Sequence, residues 1–176
     1  AVIGVITAIT CILAPLSVPI GPVPISLTNL VIYFGLYILG TGKGTISYLV
    51  YLLIGLVGVP VFSGFSAGPQ KLFGPTGGYL IGFIPMAVIA GIFIEKSGRK
   101  FVLSMVGMVL GTAVCYLFGT VWLAYQAHMG FGAAMAAGVY PFIIGDLIKM
   151  VLAGLVAPQI YKALVRANVI AVAQAA

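Results

Sequence analysis

The sequence predicts an all-α membrane protein, a six-helix bundle forming one integral membrane domain over residues 1–176. Three observations predict it. Of 176 residues, 62% are hydrophobic and only 6% charged, with a mean hydropathy of +1.27, whereas a soluble domain carries about 25% charged residues. Several apolar runs approach the ~20 residues that cross a bilayer as a helix. The runs are continuously apolar, while the strands of a membrane β-barrel would alternate.

The first segment is Ala1–Ser17. It lacks a basic n-region and a clear small-residue cleavage site, so it reads as a span and not as a signal peptide. Val18–Pro24 holds three prolines and cannot be regular helix. Leu27–Leu39 is a second, short segment, Gly40–Gly44 a turn and Thr45–Gly58 the third segment. A long Gly/Pro/Ser-rich connection follows over Val59–Thr76. The fourth segment is Gly77–Ile94, then a charged turn Glu95–Lys100, the fifth segment Phe101–Gln126, a small-residue loop Ala127–Gly138 and the sixth segment Val139–Ala167.

Charge orients this arrangement. One set of connections, with the C-terminus, holds Lys43, Lys96, Arg99, Lys100, Lys162 and Arg166. The other holds only Lys71, read as a solvated outer charge, and His128. Lys/Arg accumulate on the cytoplasmic side, so both termini are expected there. The two Gly/Pro-rich connections then lie outside. The net charge of +6 is explained by topology, and nucleic acid is not an expected partner.

Asp146 and Lys149 lie inside the apolar run Val139–Val156, with no other charge in it. Each costs roughly 2.5–3.5 kcal/mol at a helix centre, and intramembrane ionisable residues default to function. Spacing of three places both on one helix face. Asp146 would sit ~9 Å below the outer end of its helix at 1.5 Å per residue. A structural ion pair is the plain alternative, since desolvation offsets most of a buried pair's attraction. A proton relay is disfavoured, because the other acidic residue, Glu95, is at the cytoplasmic edge. A ligand site beneath the two outer connections is the preferred reading.

Other residues have two readings each. Ser26, Thr28 and Asn29 either cap the second segment or make polar contacts to a ligand. The 59–76 connection is too long and too apolar for a plain turn. It reads as a lid whose glycines, Gly68 among them, permit close backbone approach to a ligand. Tyr116 and Trp122 either belong to an interfacial aromatic belt or face the pocket, and Tyr125 fits the belt. Gly4 and Ala8 form a small-xxx-small pair suited to close helix contact. Cys11 and Cys115 read as small apolar-run residues, with neither a disulfide nor a metal site expected.

Several function classes are excluded or weakened. Gly40–Gly44 is not a phosphate-binding loop: Tyr37 stands where its first glycine would be, and no Ser or Thr follows Lys43. Uphill transport would therefore draw on a partner or an ion gradient. An enzyme is not expected from one histidine and two remote cysteines. A stand-alone secondary transporter would need coupling carboxylates and repeats.

Three blocks carry a resemblance. They are Pro22-Val23-Pro24-Ile25-Ser26-Leu27, then Leu72-Phe73-Gly74-Pro75-Thr76-Gly77-Gly78-Tyr79 with Gly82-Phe83, and Pro141-Phe142-Ile143-Ile144-Gly145-Asp146-Leu147-Ile148-Lys149. Tyr116, Gly119 and Trp122-Leu123 add a weaker fourth. With these blocks the chain resembles the BioY family, the biotin-binding S components of energy-coupling factor (ECF) transporters. The chain departs from the family pattern at Thr28-Asn29 and over Ala67–Lys71.

The resemblance implies a multi-pass protein of a prokaryotic cell membrane that binds biotin from outside, without a cofactor. It implies docking, through small residues of the first helix such as Gly4 and Ala8, onto an ECF module of a transmembrane coupling subunit and two ABC-type ATPases. Asp146 would accept a ureido N–H of biotin, and Lys149 would either donate to a biotin oxygen or steady Asp146. Tyr79 and Trp122 would pack on the bicycle. Asn29, Thr28, Gly68 and Tyr116 complete the expected site. An S component for another vitamin is the nearest alternative.

Overall fold

Residues 1–171 are described by the computed structural model of the chain. The first helix, α1 (Val2–Leu13), ends before the expected Ser17. Pro15 explains the early end, since it has no N–H to continue the helical hydrogen-bond ladder and its ring crowds the preceding turn. The chain instead enters a two-stranded antiparallel ribbon, β1 (Ser17–Val18) with β2 (Ile25–Ser26), in which Ser17 faces Ser26. Pro19, Pro22 and Pro24 fall outside both strands, where no ladder donor is lost.

The second and third expected segments form one continuous assignment, α2 (Thr28–Leu56), and the anticipated five-residue turn shrinks to Gly40. Gly40 has φ 82° and ψ 178°, a conformation essentially confined to glycine. The chain reverses there. A Cβ on Gly44 would lie 3.3 Å from the Cα of Leu36, although eight helical residues span about 12 Å. Thr28 and Tyr51 line one pocket, although a straight helix would hold them ~34 Å apart. The arms 28–39 and 41–56 are therefore antiparallel.

The reversal is fastened to the next turn. Thr41 Oγ1 donates to the Glu95 carboxylate at the end of α4 (Gly77–Lys96). Arg99, in the turn before α5 (Phe101–Gln126), donates its Nε–H to the Tyr37 carbonyl at 2.9 Å. Its guanidinium lies 3.7 Å from the Tyr161 ring centroid, a cation–π contact. Lys43 shares a groove with Ala1 and Tyr161. The start of α1, the reversal, the α4–α5 turn and the end of the last helix thus gather at one end of the molecule.

The 59–76 connection folds back on the opposite end. Phe62 N–H donates to Ser66 O at 3.0 Å, and Gly68 N–H to Gly55 O at 2.8 Å, before a single helical turn, α3 (Pro69–Leu72). Lys71 is half-buried, and burial lowers its ammonium pKa from the ordinary value; it is not the fully solvated charge expected.

Helices α4 and α5 pack at backbone range. A Cβ on Gly78 would come 2.3 Å from Trp122 Cβ, one on Gly111 2.8 Å from the Met86 carbonyl, and one on Gly119 2.2 Å from the Tyr79 ring. Small residues permit this approach where helices associate in lipid. The expected loop 127–138 contains a helix, α6 (Phe131–Gly138). Ala133, Ala134, Ala136 and Ala137 favour it enough to outweigh Gly132. The last helix, α7 (Tyr140–Arg166), starts with Pro141 in its first turn, where a missing N–H costs nothing.

The core is aromatic: Tyr33, Tyr37, Tyr48, Tyr51 and Phe62 are fully buried. Large apolar side chains also point outward, including Val102, Leu117, Ile144 and Ile148, as a lipid-facing surface requires. Among the described residues, α4, α5 and α7 are each long and apolar enough to cross a membrane as one helix, and α2 reaches that length only as the sum of its two arms.

Candidate functional site

The apolar run of α7 carries Asp146 into the bundle, where only 7% of it is exposed. An isolated carboxylate there would be prohibitively costly; Asp146 is surrounded by donors. Its Oδ1 accepts from Lys149 Nζ at 3.0 Å and from Asn29 Nδ2 at 2.8 Å. Its Oδ2 accepts from the Tyr116 hydroxyl at 2.5 Å. Three elements contribute: α7 the ion pair, the first turn of α2 the amide, and the middle of α5 the phenol.

Lys149 is equally engaged. Besides Asp146 it donates to the Ser26 carbonyl at 2.7 Å and to Asn29 Oδ1 at 3.2 Å. An ammonium has three N–H groups, and here each has an acceptor. Asn29 is consequently a bridge, donating to the carboxylate and accepting from the ammonium. The capping reading of Ser26, Thr28 and Asn29 is partly realised: the N-cap position, Leu27, has no side-chain cap, but Asn29 Oδ1 accepts from the first-turn Leu30 N–H at 3.1 Å. Ser26 Oγ and Thr28 Oγ1 instead lie 3.0 Å apart in hydrogen-bonding contact.

These groups open into a pocket between α2, α4, α5 and α7, holding about 680 Å³ of empty space with the solvent at its mouth included. Thr28, Asn29, Tyr79, Tyr116, Asp146 and Lys149 all line it, as the sequence reading expects of a common site. Phe83 and Phe142 supply apolar wall, and Ser63 reaches it from the 59–76 connection.

Two expected residues stand elsewhere. Trp122 is outside the lining; its indole N–H donates to the Gly74 carbonyl at 2.9 Å and its Cβ packs on Gly78. It braces the Gly-Pro-Thr-Gly-Gly-Tyr segment from behind. Gly68 has φ 86° and is spent on the bond to Gly55. Tyr79 keeps a place in the wall, but its hydroxyl is committed to the Gly138 carbonyl at 2.9 Å. Tyr51, Thr112 and Cys115 also line the pocket and were not singled out. Tyr51 reaches it because α2 reverses at Gly40, within the turn expected over Gly40–Gly44. Gly4 and Ala8 lie exposed on α1, and a Cβ on Gly4 would meet nothing within 4 Å. No cluster of three metal-ligating side chains occurs among the described residues.

A lipid-facing helical bundle with a buried, fully hydrogen-bonded charge pair opening into a pocket defines a membrane protein with a polar site inside its span region. Residues 1–166 match the model of the BioY family, and the chain belongs to that family. It is 38% identical over 159 residues to the biotin transporter BioY of Thermotoga maritima, covering 90% of this chain and 93% of the relative. It is 37% identical over 158 residues to a probable biotin transporter BioY of Pyrococcus horikoshii, covering 90% and 93%. Among solved structures it is similar to an S component for biotin from an ECF-type ABC transporter. The TM-score is 0.84 at 30% identity, over 92% of this chain and 89% of that one.

Proposed function

We propose that the chain binds biotin and takes it up as the S component of an ECF transporter. The observation that carries the reading is the buried Asp146 carboxylate beside the Lys149 ammonium and the Tyr116 hydroxyl in one pocket, in a chain of the BioY family. A cyclic urea offers N–H donors and a carbonyl acceptor, and this set offers the complementary acceptor and donors. Asp146 takes a ureido N–H, Lys149 takes an oxygen, and Tyr79, Phe83 and Phe142 surround the bicycle. Exclusion of water by the 59–76 connection strengthens each hydrogen bond.

Six spans follow if α1, the two arms of α2, α4, α5 and α7 each cross the bilayer. The end that gathers Lys43, Lys96, Arg99 and Lys100 with the start of α1 and the end of α7 is then cytoplasmic, and the site opens outward in a multi-pass cell-membrane protein. The exposed Gly4/Ala8 edge of α1 is available to a coupling subunit, whose ATPases supply the energy that this chain has no phosphate-binding loop to harvest.

The test is calorimetric titration of the purified protein with biotin, alongside a thermal-shift panel of other vitamins. Saturable binding of biotin in preference to the panel supports the reading. Stabilisation by a different vitamin alone would transfer the chain to another substrate.

A further inference from the structure

The polar groups of the site are already hydrogen-bonded to one another. Lys149 has no uncommitted N–H: its three acceptors are the Ser26 carbonyl, Asp146 Oδ1 and Asn29 Oδ1. A ligand oxygen can reach the ammonium only if one acceptor leaves. The bond to Asn29 is the longest of the three at 3.2 Å, against 2.7 Å and 3.0 Å. Asn29 also holds the carboxylate, donating from Nδ2 to Asp146 Oδ1 at 2.8 Å.

Its side chain therefore presents one N–C=O unit, with N–H to the carboxylate and C=O to the ammonium. That is the pattern a ureido or lactam group would present to the same two charges. We propose that Asn29 is an internal stand-in for the ligand, holding the urea subsite with its own N–C=O and swinging out when a cyclic urea or lactam enters. This deepens the proposed function and rests on it for the identity of the ligand.

Two features favour the exchange. Both charges stay partnered throughout, because the incoming N–C=O replaces both bonds as they are lost, and a buried charge left unpaired would be strongly unfavourable. Asn29 sits in the first turn of α2, and its Oδ1 also accepts from the Leu30 N–H at 3.1 Å, a local partner that remains available after the swing. The stand-in also makes the site selective. Only a ligand carrying donor and acceptor on one planar N–C=O matches what is displaced, and a carboxylate or an alcohol does not.

The test compares wild type, Asn29→Ala and Asn29→Ser in detergent. Serine keeps a polar group but is too short to span both charges. Each protein is melted with and without millimolar-to-molar acetamide or 2-imidazolidinone, and biotin association is followed by stopped flow. Acetamide and 2-imidazolidinone should raise the Tm of both variants by several degrees and leave wild type nearly unchanged. Biotin should associate about tenfold faster with the variants, the factor that 1.4 kcal/mol of lost competition gives.

Slower or weaker biotin binding by both variants, without rescue by the small amides, would overturn the stand-in and make Asn29 a ligand contact or a brace. If no protein binds biotin yet the amides rescue the variants, the urea subsite stands and the vitamin assignment falls. If one variant does not fold, the other carries the same two readouts.

Discussion

Lys149 donates to the main-chain carbonyl of Ser26 at 2.7 Å, tying the middle of α7 to the strand just ahead of α2. The ammonium holds together two segments 123 residues apart in sequence, and the same group pairs with Asp146. It is at once part of the proposed recognition set and a cross-link of the bundle.

Replacing Lys149 with Met should expose both roles. It removes three hydrogen bonds and leaves the Asp146 carboxylate without its counter-ion. Breaking a buried pair from one side costs about 3–5 kcal/mol. For a domain of this size each kcal/mol moves Tm by roughly 2–4 °C. A loss of Tm larger than that of Lys149→Arg is expected in a detergent melt, together with loss of biotin binding. An unchanged melting curve would show that the cross-link holds nothing.

Tyr116→Phe keeps the ring and removes the hydroxyl that Asp146 Oδ2 accepts. A hydrogen bond to a charged group contributes about 1.5–3 kcal/mol. Biotin affinity should fall at least tenfold in a calorimetric titration, with stability changing less than in Lys149→Met. Wild-type affinity in this variant would remove the phenol from the recognition set.

The sequence contains one tryptophan, so intrinsic emission reports on Trp122. Its indole is bonded to Gly74 and packed on Gly78, beside Thr76 and Tyr79 of the pocket wall. Biotin should change Trp122 emission through this segment, without stacking on the ring. Trp122→Phe should speed biotin release in a chase experiment while altering association little. Emission that stays constant while calorimetry shows binding would mean that the segment does not respond to ligand.

Gly40 and Gly42 offer a matched pair for the reversal. A Cβ on Gly40 would lie 2.2 Å from Glu95 Oε1, at φ 82°, whereas one on Gly42 would meet nothing within 4 Å. Gly40→Ala should lose about 1–3 kcal/mol and melt lower. Gly42→Ala should be neutral or slightly stabilising, as alanine is the better helix former. Equal Tm values for the two variants would contradict the strained turn.

Much of the site was legible because charge inside an apolar run is conspicuous. Asp146 and Lys149 stand out by composition alone, Tyr116 follows from the weaker matching block, and Asn29, where the chain departs from the family pattern, was a candidate for its amide alone. Tyr51 and Ser63 were not legible: the turn at Gly40–Gly44 and the lid over Val59–Thr76 were, but which of their side chains face the pocket is decided by packing that sequence spacing does not encode. Helix α6 was hidden by glycines at 130, 132 and 138 around an alanine-rich stretch. Trp122 was expected at the ligand because an aromatic inside a bundle resembles a ring platform. Only the approach of Gly78 shows that it supports the wall from behind.

The central claim is that the Asp146 carboxylate is the acceptor that captures biotin. Titrating wild type and Asp146→Asn with biotin under identical conditions tests it most directly. Asparagine keeps the shape but loses the charge, and its NH2 replaces one of the two acceptor oxygens, the one facing Tyr116 or the one facing Lys149. The account predicts saturable wild-type binding and a loss of well over tenfold in the variant, with the folded bundle retained by circular dichroism. Equal affinity of the two proteins for biotin would contradict it.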